Sequence, residues 1–153
     1  MMKHPKWQSA VHESGHAIAA RLFGRMVVCI DLETGSGAAV ITPYERKNTP
    51  ETIRQMLVIY AAGEAAVRRF IRTPEYDGGE DDRSKIKEHA RRLHGILASK
   101  EVVQKEIDAA VKRAEKVVEQ YEETIMKLSR SMIASYQVLQ KIEPRQTEAF
   151  ITY

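Results

Sequence analysis

Apolar residues at Trp7, Ala10, Val11, Ile18 and Leu22 follow the three-and-four spacing of one helix face. Pro5 suits the opening of that helix, because its missing N–H has no intrahelical partner there anyway. Gly24 is a natural C-terminal stop, so the helix should end near Phe23. Two β-branched runs follow, Met26–Leu32 and Ala38–Thr42, with Glu33–Gly37 between them as a hairpin loop. Thr49, Pro50 and Glu51 supply a cap, a fixed φ and an acid at the positive end of the helix dipole. The helix they start should run to Arg69 or Phe70, ahead of Pro74. An acidic loop comes next, with Glu75, Asp77, Glu80, Asp81 and Asp82 around Gly78 and Gly79. The charge sign then flips to Arg83, Lys85, Lys87, Arg91 and Arg92, on a helix ending near Gly95. From Ser99 towards Leu139, one stripe of Val103, Ile107, Ala110, Val111, Ala114, Val118, Tyr121, Ile125 and Leu128 predicts a long helical segment. Pro144 breaks that pattern, ahead of a short helix or turn over Gln146–Ile151. The expected fold is mainly α (α+β): a first helix, a small β-hairpin sheet, and a helical bundle with a long C-terminal helical segment.

Composition narrows this only slightly. The chain has 153 residues, the size of one domain spanning 1–153. Its 43% hydrophobic and 29% charged residues exclude wholesale disorder. The single Cys29 excludes an internal disulfide framework and a Cys-rich zinc module, and it fits a reducing compartment. It reads as a small buried strand residue. The longest apolar stretch, Met56–Gly63, is far short of the roughly 20 residues that span a bilayer. Met1–Gln8 has no apolar signal-peptide core. A soluble, cytoplasmic protein with no membrane segment is therefore expected. A net charge of +3 is too weak to argue for nucleic acid, and no aromatic-basic interleaving supports it.

The chemistry lies in His12-Glu13-Ser14-Gly15-His16, an HExxH motif inside the first helix. Residues four apart are neighbours on a helix face, so both imidazoles can reach one metal ion with Glu13 beside them. Zinc accepts such nitrogen ligands, keeps an open position for water in catalytic sites, and lowers the pKa of that water. Glu13 can then act as the general base. Gly15 costs a helix about 1 kcal/mol relative to Ala. A neighbouring element approaching closely behind the metal would explain it. A third ligand is needed, and the HExxHxxGxxH extension is absent, with Ala19 and Leu22 in its places. Glu64, the acids of the 75–82 loop, His89 and His94 are candidates, and spacing does not choose among them. Asp81 and Asp82 also suit capping of the basic helix that follows. His89 and His94 read most simply as exposed helix residues, and Glu64 as a solvent-facing or supporting group.

The segment Val11–Leu22, VHESGHAIAARL, resembles the peptidase domain of FtsH-type zinc metalloproteases, and the resemblance runs along the whole chain. Val28–Leu32 and Gly37–Thr42 are similar to that family's strand and its small-residue substrate strand. Ala62-Gly63-Glu64-Ala65-Ala66 sits where the family has a Gly-Gly-Arg-x-Ala-Glu-Glu helix. Gly78-Gly79-Glu80-Asp81-Asp82-Arg83 aligns without gaps with a Gly-Ala-Ser-Asn-Asp-Leu segment whose aspartate is the third zinc ligand. The resemblance thus implies Zn2+ held by His12, His16 and Asp82, with Glu13 as catalytic base. It implies an endopeptidase acting on unfolded or flexible polypeptides, with extended substrate adding to the Gly37–Thr42 strand. Two departures stand out: Val67 and Arg68 replace the family's acids, and Asp81 replaces the asparagine before the ligand. The AAA+ ATPase module and membrane segments are absent from this sequence, so the resemblance implies an ATP-independent, stand-alone peptidase domain. The family's domains form hexamers, which makes a homo-oligomer, or a separate unfoldase or adaptor, the implied partner. The alternative is a metal-stabilised binding or regulatory module with little or no hydrolysis. The intact Glu13 argues against it, because a purely structural site closes its fourth position with protein.

Overall fold

Residues 8–20 of the first helix are almost all buried, so this helix has no solvent face over most of its length. Its many small side chains are the reason: Ala10, Ala17, Ala19 and Ala20, with Ser9, Ser14 and Gly15, let other elements close in from several sides. A computed structural model describes residues 4–32, 38–41, 49–74 and 79–139. Its elements are α1 (Trp7–Leu22), β1 (Val27–Asp31), β2 (Ala38–Ile41), α2 (Pro50–Phe70), α3 (Glu80–His94), α4 (Lys100–Gln120) and α5 (Glu122–Leu139). The fold is mainly α, as the pattern of apolar positions predicts. Helices α2 and α5 pack on α1, while α3 and α4 pack on α2. One apolar cluster draws on all five, through Val11, Leu57, Ile86, Val118 and Ile125 among others. No described helix is long and apolar enough to cross a membrane.

Local signals set the ends of most elements. After α1 the Arg25 amide donates to Ala20 O at 2.9 Å and the Gly24 amide to Arg21 O at 3.0 Å. This crossed pair needs the left-handed backbone that Gly24 supplies at φ 74°. Thr49 caps α2, its hydroxyl accepting from the Thr52 amide at 3.2 Å. Ser99 caps α4 in the same way through the Val102 amide. The strands form the expected antiparallel hairpin, with Cys29 opposite Val40 and Asp31 opposite Ala38, and a bulge between Val27 and Cys29. The loop 33–37, the acids Glu75 and Asp77, and the helix or turn expected over 146–151 lie outside the described residues.

One expectation is refined and one is corrected. The segment from Ser99 to Leu139 is two helices, because the chain turns at Tyr121, whose φ and ψ are −108° and 24°. The turn lets α4 pack on α2 and α5 pack on α1. Neither Gly nor Pro marks it, and the apolar stripe continues through it, so tertiary packing decides. Asp81 and Asp82 do not cap α3: the helix begins at Glu80 with Gly79 in the cap position, and all three acids lie in its first turn. There they meet the positive end of the dipole instead.

Gly15 marks a close approach of α1 to α2. A Cβ added there would lie 2.4 Å from the Ala62 carbonyl oxygen of α2 and 3.0 Å from Ala66 Cβ. Substitution Gly15→Ala gains helix propensity of about 1 kcal/mol but forces α1 away from α2. A net loss of about 2 kcal/mol or more is expected in chemical denaturation of the purified chain. Unchanged or increased stability would contradict this packing.

Candidate metal centre

One turn of α1 and one turn of α2 build the core of the site. His12 and His16 stand one above the other on α1, their rings 4.6 Å apart and nearly perpendicular. Ile59 and Gly63 face them from α2. The His16 Nδ1–H donates to the Ile59 carbonyl at 2.7 Å. Gly63 makes room for both rings, since a Cβ there would lie 2.5 Å from His16 Nε2 and 2.9 Å from His12 Cε1. The third member comes from the first turn of α3. Asp82 Oδ2 lies 2.9 Å from His12 Nε2 and 3.0 Å from His16 Nε2, and the two Nε2 atoms are 2.9 Å apart. Both histidines are buried, and Asp82, at 14% side-chain exposure, is on the more open side. Glu13, at 3% exposure, is buried beside them, and its charge acts on His16.

The donor set could hold a cation. The Ile59 carbonyl can only accept, so His16 Nδ1 carries the hydrogen and a neutral His16 turns its Nε2 lone pair into the cluster. That lone pair faces a carboxylate oxygen at 3.0 Å. A hydrogen on His12 Nε2 can serve only part of this triangle. Either a second proton on His16 or a metal ion must sit among the three atoms. Nitrogen and carboxylate donors with one carbonyl-oriented imidazole are typical of zinc and similar divalent ions. Around an ion with bonds of roughly 2.0–2.1 Å in tetrahedral geometry, donors stand about 3.3 Å apart. The triangle is a few tenths of an ångström tighter, so the residues fit an ion with a small opening of the cluster.

The same contacts set the electrostatics. Burial pushes the Asp82 carboxyl up, but the hydrogen bonds and charges of His12 and His16 outweigh it and hold the group well below the usual carboxylate range. Burial pushes the His16 imidazole down, but Asp82, then Glu13 and the Ile59 carbonyl, outweigh it and raise the pKa.

The other candidates lie elsewhere. Glu64 pairs with Arg68 and Arg83, each at 3.3 Å. Asp81, 80% exposed, pairs with Lys85 at 2.8 Å. His89 is half-buried rather than exposed: its Nδ1–H donates to Lys85 O at 2.8 Å and its ring meets the Tyr60 ring edge-on. His94 bonds Glu106 at 2.9 Å. The Ile59 carbonyl left no trace in the sequence, being backbone. Gly63 did leave one, as a glycine inside a helix that asks for a close neighbour. No known protein family matches the chain, and no curated protein matches it either.

A pH prediction follows for the metal-free protein. The depressed Asp82 pKa contributes stability above its ordinary 3.8, lost as pH falls. The raised His16 pKa contributes stability below its ordinary 6.5, lost as pH rises through its folded value. In chelator, the melting temperature should therefore pass a maximum between these two pH values. With zinc added, the stabilisation should grow as pH rises, because metal requires deprotonated imidazoles. A chelated protein whose melting temperature keeps rising above neutral pH would show that the three side chains are not coupled.

Proposed function

We propose that the chain is a zinc-dependent endopeptidase that hydrolyses peptide bonds in unfolded or flexible polypeptides. The observation that carries this reading is the convergence of His12, His16 and Asp82 on one point, with Glu13 buried in the same turn of α1 and its charge acting on His16. His12, His16 and Asp82 would hold the ion, which when bound supplies a Lewis acid for the scissile carbonyl and makes water more acidic. Glu13 takes the proton of the attacking water on its carboxylate. It passes that proton to the amine nitrogen as the C–N bond breaks, so the carboxylate is regenerated. The Ile59 carbonyl fixes the His16 tautomer throughout.

Substrate enters as an extended chain. Among the described residues the sheet has two strands, so β2 keeps one edge that β1 does not occupy. An extended polypeptide can add there, its own amides and carbonyls making the ladder. Such binding needs no folded partner surface, which suits unfolded or flexible substrates. The similarity of the HExxH and Gly78–Arg83 segments to FtsH-type peptidases supports the same reading. The reading also includes the reducing, cytoplasmic setting that Cys29 suggested.

Two substitutions test it on an unfolded, labelled protein substrate with zinc-loaded enzyme. Glu13→Gln should abolish cleavage while zinc stays bound at full stoichiometry. Asp82→Asn should weaken zinc by more than the roughly 10–100-fold that changes outside the ligand sphere cost. Full activity in the first variant sinks the base assignment, and unchanged zinc affinity in the second sinks the ligand set. A wild type that binds zinc and cleaves nothing would leave the metal-stabilised regulatory module as the better reading.

A further inference from the structure

A groove of about 1240 Å³ opens between α3 and α4 near the turn that joins them. Its floor is apolar, with Ala98, Val103 and Ile107. Its rim is basic: Lys87, Arg91 and Arg92 come from α3, and Lys100 from α4. Glu88 is the one acid among its lining residues. None of the four cations makes an ion pair among the described residues, whereas Arg54, Arg68, Arg69, Arg83 and Arg113 all do. Beyond the rim, Ile96 and Leu97 stand on the turn at 102% and 99% exposure. Two adjacent, fully exposed aliphatic side chains are costly to leave in water, and here they extend the apolar floor outward. The groove continues into a second cavity of about 790 Å³ that shares Ser84, Lys87, Gln104 and Ile107 with it.

We propose that this groove docks an acidic amphipathic helix of a partner polypeptide. A helix laid between two helices can put one face onto the apolar floor and ridges of side chains into the gap. Acids along its flanks then meet the four cations of the rim, which fixes its register and speeds its approach. The shape favours a helix over a lipid surface. The floor lies below the basic rim, where a flat bilayer reaches only the rim and the Ile96–Leu97 tip. The proposal concerns a surface on α3 and α4 and stands whether or not the metal centre hydrolyses peptides.

The test uses the full chain and a fluorescent helical peptide with one face of leucines and glutamates along both flanks. Fluorescence anisotropy should show saturable binding that weakens as salt rises. Arg91→Glu combined with Arg92→Glu should weaken it by on the order of tenfold or more. Ile96→Ser combined with Leu97→Ser should also weaken it, at no cost in fold, since both side chains are exposed. Lys127→Glu combined with Arg130→Glu, on exposed positions of α5, should leave it unchanged. Four results would overturn the proposal. These are absent binding, equal loss from the α5 pair, equal binding of a peptide with lysines in place of glutamates, or binding to phosphatidylserine vesicles without binding to the peptide.

Discussion

The close approach of α1 to α2 governs the rest of the structure. At Gly15 the Ala62 carbonyl occupies the space a Cβ would need, and one residue on, Gly63 leaves room for two imidazoles. The two glycines act in opposite directions. Gly15 lets backbone meet backbone, and Gly63 lets the His12 and His16 rings lie against α2 without pushing it away. With both in place, a helix carrying two histidines and a glutamate is buried as deeply as an alanine helix. Buried polar groups must then find partners inside the protein. Ile59, three residues before Ala62, supplies one for His16.

Asp82 completes this arrangement through the register of α3. Each residue turns a helix by about 100°, so neighbouring side chains diverge. Asp82 shares its face with Ile86, one turn later, which is buried in the core. Ile86 thus anchors the face and carries Asp82 inward. Asp81 is turned out to solvent, where it pairs with Lys85. The two acids are chemically alike, and rotation about one axis separates their roles. Asp82 also lies in the first turn of α3, where the helix dipole favours an anion. A buried carboxylate is costly, and this placement with two imidazoles in contact offsets that cost.

What could be read from the sequence was what depends on near neighbours. The limits of α1 and α2 follow from Gly24 and from Thr49 with Pro50, and the hairpin from two β-branched runs. The pair His12 and His16 was legible because four residues of helix suffice to bring them together. Glu64, His89 and His94 could not be excluded by spacing, because what occupies them is largely contact with Arg83, Tyr60 and Glu106, 12 or more residues away in the chain. The capping reading of Asp81 and Asp82 failed for a local reason: the helix starts three residues earlier than a cap at Asp82 would require, and Gly79 takes the cap position. The turn at Tyr121 was invisible because the apolar stripe runs through it unbroken.

That turn matters to the site even though it is far from it in sequence. A single helix from Ser99 to Leu139 would be a rod of roughly 60 Å, at 1.5 Å per residue. Only one end of such a rod could touch the bundle, and the side of α1 opposite α2 would face water. With the turn, α5 comes back along α1 and closes that side. Ile125 enters the core there, and the Ser129 hydroxyl meets Ser14 Oγ at 2.9 Å and donates to Ile125 O at 2.7 Å. Ser14 lies between Glu13 and Gly15, so this buried contact holds the very turn of α1 that carries the HExxH residues. The position of Glu13 therefore depends on a break in the C-terminal helices more than 100 residues away, and α1 is held from both sides before any metal is considered.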